Sequence, residues 1–596
     1  MPPRKRANTA KAKTKPAAPS KTIKRKSEPK GSAPTVDLTP DDVQPFEAGR
    51  LPTEILCEIL KCFNDMDDKP PKALCCFMRV SRRFRDIALA AHSLWAQHVG
   101  APTFLDEKGG PVMHDRHVKK LIMSMVNRAG PALLDLRVRK WYQGPAQYQQ
   151  QAKLLPTLLP RSRSVATDLN SSAWGLIISF WESLQSMDLQ HLEGLSVTAS
   201  WFILPHHGYA SHFPYNTSPG PFDKLHLPAL RALALKHVLP PRVFPELREL
   251  SLHLDHHLPS SSRMFIDYVR AHPQLTQLTL HDCLRDDQGP VDPIELPHLE
   301  RLEVTCRPKP CAFFLRHVQF PRATAIIWQY DKTKWYGNDE DWTLDEILKI
   351  MNECMEPDPA RPYRAFLRLS RGKHNLPGDG LNNKTLSQSE DVHVVFALYR
   401  VTSRDLTPRT FDSLNDPDLV LRVETDFEQD ALVSGDDFLR IVHPSHISAL
   451  TMSILDSQTS AFVHKHASNI LRSFSTITDF TWLNLTTPGK LAGMITSVLD
   501  PSTSPHLKSM CIKELGHVQT RQGWRGNVAV SALCEGLKAR RKVGCALKGV
   551  PEIGKLWELG KSKSDKTVHE RKAPIEQGSE RWEELLSALA EAQGAT

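Results

Sequence analysis

A nine-residue phrase recurs through the middle of the chain and constrains its fold more than any other feature. It reads "LQHLEGLSV" at 189–197, "LPALRALAL" at 227–235, "FPELRELSL" at 244–252, "HPQLTQLTL" at 272–280 and "LPHLERLEV" at 296–304, with a weaker copy, "FPRATAIIW", at 320–328. In the closing Leu-x-Leu the two leucines alternate with period two, so they face one side of a strand while the x residues face the other. The leucine three positions earlier places a further apolar group under the same side. Pro228, Pro245, Pro273, Pro297 and Pro321 are expected to hold the chain extended before each strand and to forbid a helix there. Between copies lie stretches of helical spacing, "SRMFIDYVRAH" at 262–272 and "DEILKIMNECM" at 345–355.

A strand and helix that cannot cover their own leucine face must stack on neighbours that repeat it. Strand, turn and helix at intervals of roughly 24–28 residues resemble the leucine-rich repeat. The expected class is therefore α/β, an irregular repeat solenoid over 101–545 with shorter echoes at 447–454, 477–483 and 506–512. The spacing is uneven, and the Asn or Cys that usually follows the strand is absent. A non-repeating α/β domain whose strands begin with Leu-Pro is the alternative. On a solenoid the x residues line the open strand face, which nominates Lys236, His253, His281, Arg301 and Glu303 as the surface for a bound protein. A plain solvated face would carry the same residue types.

A second feature lies at 46–100. In "RLPTEILCEILKCF" Leu51, Ile55, Leu56, Ile59, Leu60 and Phe63 recur at helical spacing, with Pro52 in the first turn, where its missing N–H is harmless. "NDMDDKPPK" breaks the pattern. A short run with Leu74 and Phe77 leads into "VSRRFRDIALAAHSLW", where Val80, Phe84, Ile87, Ala88 and Ala91 mark one face of a third helix. About ten large apolar residues in so small a module exceed what it can cover alone, so its surface is shared with the next domain or with a partner.

The order Leu51-Pro52, Glu54, Ile55-Leu56, Ile59-Leu60, Phe63, then Leu74, Phe77, Val80-Ser81-Arg82-Arg83-Phe84 and Leu94-Trp95 resembles the F-box, the adaptor-binding motif of SCF-type ubiquitin ligases. Two departures stand out: the connector after the first helix is longer than usual, and Phe84 replaces a common Trp. The resemblance implies a three-helix module that binds a Skp-family adaptor, and through it a cullin scaffold. It implies that Leu51, Pro52, Glu54, Ile55, Leu56, Ile59, Leu60, Phe63, Leu74, Phe77, Val80 and Phe84 form that interface or support it. With repeats behind it, the chain resembles the substrate receptors of such ligases, which are not themselves enzymes and capture a protein target. An apolar hairpin packed only on its own downstream domain is the alternative.

The net charge of +9 sits in the tail. Residues 1–30 carry eleven Lys or Arg against one Glu, which leaves the rest near neutral and offers a nucleic-acid duplex no bulk basic surface. Residues 1–45 hold almost no large apolar side chain and are expected to be disordered. Arg4-Lys5-Arg6 and Lys24-Arg25-Lys26 are short basic clusters of the kind importins read, which suggests a nuclear or nucleocytoplasmic protein. A chromatin- or nucleic-acid-associated protein led by this tail, outside any ligase, is the competing function. No apolar run reaches the ~20 residues of a membrane span, and no apolar core follows the basic start as a secretory signal requires.

Eleven cysteines without a framework fit a reducing compartment. Cys57, Cys62, Cys75 and Cys76 fall in helical patterns and lack the paired spacing of a zinc site. The pairs His206–His207 and His256–His257, with His253, would chelate poorly, because adjacent residues of a strand face opposite ways. No phosphate loop, dinucleotide fingerprint, zinc-protease helix or nucleophile elbow is present, so no catalytic residue, cofactor or metal is expected. Residues 546–596 read as a polar segment with one amphipathic helix at 580–592, carrying Trp582, Leu585, Leu586 and Leu589 on a face.

Overall fold

The computed structural model describes residues 51–66, 72–97, 99, 115–138, 154–170, 184–200, 226–236, 243–254, 262–284, 292–330, 363–371, 392–400, 419–427, 447–454, 471–472, 474, 476–483, 488–518, 527–561 and 569–594. The basic tail with both of its clusters, the helix expected at 345–355 and the pairs His206–His207 and His256–His257 lie outside the described residues. Helices α1 (Thr53–Met66), α2 (Lys72–Val80), α3 (Arg82–Ala90), α4 (His92–Ala96) and α5 (Asp115–Ala129) come first. They are followed by β1 (Leu134–Val138), α6 (Leu155–Leu158), β2 (Ser162–Asn170), β3 (Gly194–Ser200), β4 (Ala232–Lys236) and β5 (Glu249–His253). The run continues with α7 (Ser262–Arg270), β6 (Gln277–His281), β7 (Ile294–Glu295), β8 (Arg301–Thr305), α8 (Pro308–His317), β9 (Val318–Gln319) and β10 (Ala325–Tyr330).

Then come β11 (Tyr363–Arg371), β12 (Val392–Arg400), β13 (Leu419–Phe427), β14 (Ile447–Ile454), β15 (Asp479–Trp482), α9 (Pro488–Leu499) and β16 (Ser509–Val518). The chain closes with α10 (Val528–Lys542), β17 (Glu552–Lys561), β18 (His569–Ile575) and α11 (Glu580–Gln593). Among the described residues no helix is long and apolar enough to cross a membrane.

Among the described residues sixteen strands form one sheet in the order β1-β2-β3-β4-β5-β6-β8-β10-β13-β12-β11-β14-β15-β16-β17-β18, and β7 pairs with β9 in a separate two-stranded sheet. From β1 to β10 all pairings are parallel, and the repeated phrase sets the register. Leu233, Leu250, Leu278, Leu302 and Ile326 fall opposite one another, as do Leu235, Leu252, Leu280, Val304 and Trp328. Both rows are buried, together with Leu192, Leu230, Leu247, Leu275 and Leu299 from the residues before the strands. Each such side chain contributes roughly 1.5–3 kcal/mol by leaving water, so the ladder is a large part of the driving force in this half.

The prolines act differently from the expectation of an extended lead-in. Leu230 N–H donates to the Leu227 carbonyl, Leu247 to Phe244, Leu275 to His272 and Leu299 to Leu296, at 3.1–3.2 Å. Pro228, Pro245, Pro273 and Pro297 therefore occupy the second position of a β-turn, where a fixed φ near −65° is favourable. In the weaker copy the turn slips by one residue, and Thr324 N–H donates to the Pro321 carbonyl.

Two further departures concern topology. Strands β11, β12 and β13 enter in reversed order and pair antiparallel, which interrupts the parallel series that a uniform solenoid over 101–545 would give. Residues 546–596, expected as a polar segment with one helix, supply β17 parallel to β16 and β18 antiparallel to β17, besides α11. Strand pairing satisfies this segment's backbone despite its polar side chains. Gly536 lets α10 close on α9, since a methyl group there would lie 2.6 Å from the Leu499 Cβ.

One buried apolar cluster runs from Leu56 in α1 to Ala592 in α11. A second, of Ile327, Val395, Ala397, Tyr399 and Leu483, is separate from it. Strand β12 contributes Phe396 and Leu398 to the first and Val395, Ala397 and Tyr399 to the second, so it is covered on both sides.

Candidate docking site

The N-terminal helices divide their apolar residues between an inside and an outside. Helix α1 and the two residues before it turn Leu56 and Leu60 fully inward, keep Leu51 and Ile59 half-buried, and leave Pro52, Glu54 and Ile55 in solvent. Leu74, Phe77, Phe84, Ile87 and Ala88 complete the interior, with the Phe77 and Phe84 rings tilted at 42° and 4.5 Å apart. The side chain of Phe63 lies outside the described residues. Of the residues expected at an adaptor interface, Leu56, Leu60, Leu74, Phe77 and Phe84 therefore present no contact surface and can only support one.

Val80 departs from its expected place on the third helix. It is the last residue of α2 and is 63% exposed. Ser81 separates the two helices with an extended backbone (φ −158°), and its hydroxyl accepts the Phe84 N–H at 3.2 Å, an N-cap that starts a new helix. The expected third helix also divides at Ala91 into α3 and α4, so the module has four short helices where three were expected.

Three polar contacts fix this assembly. Arg83 Nη2 donates to the Leu51 carbonyl at 2.6 Å, tying α3 to the start of α1. Trp95, buried, donates its indole N–H to the Ala88 carbonyl at 2.7 Å, while the Arg128 guanidinium of α5 lies 4.5 Å from its ring centroid. His92 Nδ1 lies 2.5 Å from the Arg128 carbonyl oxygen, beside Gly130 at φ +52°, where an added Cβ would crowd the imidazole at 3.3 Å. The module is thus clamped at its α4 end to α5 and the start of the sheet, and its α1–α2 end faces outward. Among the described residues of α1 and α2, Ile55, 47% exposed, and Val80 are the large aliphatic residues left in water; Pro52 and the Glu58–Lys61 ion pair at 2.6 Å flank Ile55 along the chain. Glu58, by hydrogen bond and charge, raises the pKa of Lys61 above the ordinary lysine value.

A family model described as F-box-like matches residues 48–99. These residues form an F-box-like domain. The match begins just before α1 and ends just past α4, so it coincides with the clamped helices. The F-box-like domain lies near the N-terminus, and a mixed α/β sheet follows it. Among curated proteins, none matches the chain.

The residues nominated on the open strand face do come together. Lys236, His253, His281 and Thr305 are register partners across β4, β5, β6 and β8, all on the side opposite the leucine ladder. Glu303 falls in the next row with Ser251 and Thr279, and Arg301 in the third with Glu249 and Gln277. Arg301 Nη2 donates to Glu303 Oε2 at 3.2 Å, so these two partly neutralise each other. His253 and His281 stack at 3.7 Å between centroids with 15° between planes. Sequence reasoning gave no role to Asp282, whose carboxylate lies 3.1 Å from the His281 Nδ1. The available signal was repeat position: His253 and His281 each follow the same Leu-x-Leu in neighbouring copies.

Proposed function

We propose that this chain is the substrate-recognition subunit of an SCF-type ubiquitin ligase. The observation that carries the reading is the F-box-like match at 48–99, over helices that leave Pro52, Ile55 and Val80 uncovered on their outward end. A Skp-family adaptor docks on that end and links the chain to a cullin scaffold. The sheet behind acts as an irregular leucine-rich-repeat solenoid, whose polar row from Lys236 to His281 contacts a protein target. The subunit makes no covalent bond itself. It raises the effective concentration of the target beside a ubiquitin-charged enzyme held elsewhere on the scaffold. On this reading the clusters Arg4-Lys5-Arg6 and Lys24-Arg25-Lys26 engage an importin and bring the receptor to the nucleus.

Titrating the full chain with a purified Skp-family adaptor tests the docking step. The parent should bind, and the double variant Ile55→Asp/Val80→Asp should bind at least about 100-fold more weakly, since each substitution buries a carboxylate in an apolar contact. Both positions are exposed, so the variant should keep its circular dichroism spectrum. A folded parent that ignores the adaptor, or a double variant that binds equally well, would refute the reading.

A further inference from the structure

We propose that His253, His281 and Asp282 form a binding site for a single transition-metal ion of the zinc type, at the ends of β5 and β6.

The two histidines are brought together by the repeat. They occupy the same place in successive copies, are direct register partners in a parallel pair, and extend from the sheet side opposite the leucine ladder. Leu254 N–H donates to the His281 carbonyl at 2.9 Å, which holds the two strand ends at this spacing. Asp282 follows at once with φ +56°, the one non-glycine residue with positive φ among the described residues. That left-handed conformation is uncommon for a residue with a side chain and gathers at sites where the surroundings enforce it. Here Asp282 N–H donates to the Thr305 carbonyl at 2.7 Å, which turns the carboxylate back toward the imidazoles.

The three groups form an incomplete polar set. Asp282 is nine-tenths buried, its side chain 9% exposed. Its Oδ1 is shielded from solvent without a hydrogen-bond partner, and the equally shielded His281 Nδ1 has the Asp282 Oδ2 3.1 Å away but outside hydrogen-bond geometry. A buried carboxylate oxygen with no donor keeps its full desolvation cost, and native structures rarely leave one without a reason. A cation supplies what each lacks: positive charge for the carboxylate and an electron-pair acceptor for the imidazole nitrogen.

The donor set selects the ion. Two imidazole nitrogens and a carboxylate oxygen make a three-ligand site with an open fourth position, the set that zinc accepts, whereas calcium and magnesium require oxygen ligands almost throughout. One ligand atom from each residue lies within 4.8 Å of the others. Zinc bonds of about 2.0–2.1 Å need the ligand atoms closer than that, so binding must tilt the two rings out of their stack. The neighbouring thiol takes no part, because Cys283 Sγ donates to the Leu252 carbonyl at 3.2 Å within the apolar core.

The test uses the full chain, stripped with a chelator and titrated with zinc chloride by calorimetry, then with cobalt(II) by absorption. The expected result is one equivalent bound at this site. The cobalt spectrum should show nitrogen and oxygen ligation without a sulfur-to-metal charge-transfer band. His253→Gln and Asp282→Asn, made separately, should each weaken that equivalent beyond the ~10–100-fold lost when only an outer-shell partner is removed. Asparagine tolerates the left-handed backbone, so Asp282→Asn keeps the fold while removing the ligand charge. A parent that takes up no zinc overturns the proposal. So does binding that both variants leave unchanged, or a thiolate band, since the metal would then sit on cysteines such as the exposed Cys62 and Cys76.

Discussion

Arg540 is fully buried inside α10, and replacing it with methionine should destabilise the C-terminal half of the sheet by about 3–5 kcal/mol. Its guanidinium holds three backbone carbonyls at once: Nε donates to Cys545 at 3.0 Å, Nη1 to Ser504 at 2.9 Å and Nη2 to Leu507 at 3.1 Å. These join the end of α10 to the loop that enters β16. A bond to a charged group contributes roughly 1.5–3 kcal/mol net, so three give an upper bound of about 4.5–9 kcal/mol. Two effects reduce it. Ser504 keeps a second donor, the Leu507 N–H at 3.3 Å, and the variant no longer buries a charge. Methionine fills much of the aliphatic volume, so packing loss adds little. The readout is native-state hydrogen exchange by mass spectrometry over 500–518 and 527–545. Protection there should fall by about two to three and a half orders of magnitude, at ~1.4 kcal/mol per tenfold, while peptides of β4 to β6 change less. Arg540→Lys should fall between, because an ammonium cannot span three divergent acceptors. An Arg540→Met chain with protection within tenfold of the parent would mean that water already serves these carbonyls, and the reasoning would fail.

Two further outcomes follow from the same contacts. His272 accepts the Phe244 N–H on Nε2 at 3.0 Å and has Nδ1 2.7 Å from the Tyr268 carbonyl, a pair of bonds that only the neutral ring can make. Burial lowers its pKa below the ordinary 6.5, against a smaller opposing pull from the Tyr268 carbonyl. Below about pH 6.5 the unfolded chain therefore binds a proton that the folded one resists, and stability drops as pH falls toward the depressed value. The urea midpoint of the parent should decline more steeply than that of His272→Asn between about pH 7 and about pH 5.5, and parallel declines would count against this. Leu60→Ala should cost about 2–5 kcal/mol by leaving a cavity in the helical module, yet leave the adaptor affinity of the folded fraction unchanged. Calorimetry showing full stoichiometry with a weakened Kd would instead place Leu60 at the interface.

Much of this architecture is legible in the sequence, for a reason visible in single residues. Leu250 and Leu252, Leu278 and Leu280, Leu302 and Val304 each announce a strand with one buried side, and their common offset from a proline announces the parallel register. The amphipathic stripes of α1, α7 and α11 are equally plain, although the Ser81 cap that starts α3 reads as part of a continuous helix until its extended backbone is seen. The reversal at β11–β12–β13 is not legible, because the alternating "YRAFLRLSR" and the continuous apolar run "VHVVFALYR", buried on both sides, suit an antiparallel sheet as well as a parallel one. Periodicity reports which face is buried and carries nothing about strand direction.

The site at His253 and His281 escapes for a related reason. Their 28-residue separation is set by one full repeat, and proximity arises only once β5 and β6 lie side by side in register. The leucines of each phrase are bound by the core, so the x positions opposite them are where neighbouring copies can diverge without loss of stability. Lys236, His253, His281 and Thr305 occupy one such position in four consecutive strands of the sheet and answer it with three chemistries: a cation, two imidazoles and a hydroxyl. A structural demand would favour one residue type along the row, as it does along the leucine ladder behind it. A row whose chemistry changes from strand to strand, and whose two stacked imidazoles lie beside a buried carboxylate held at positive φ, is better accounted for by what it binds than by what it supports.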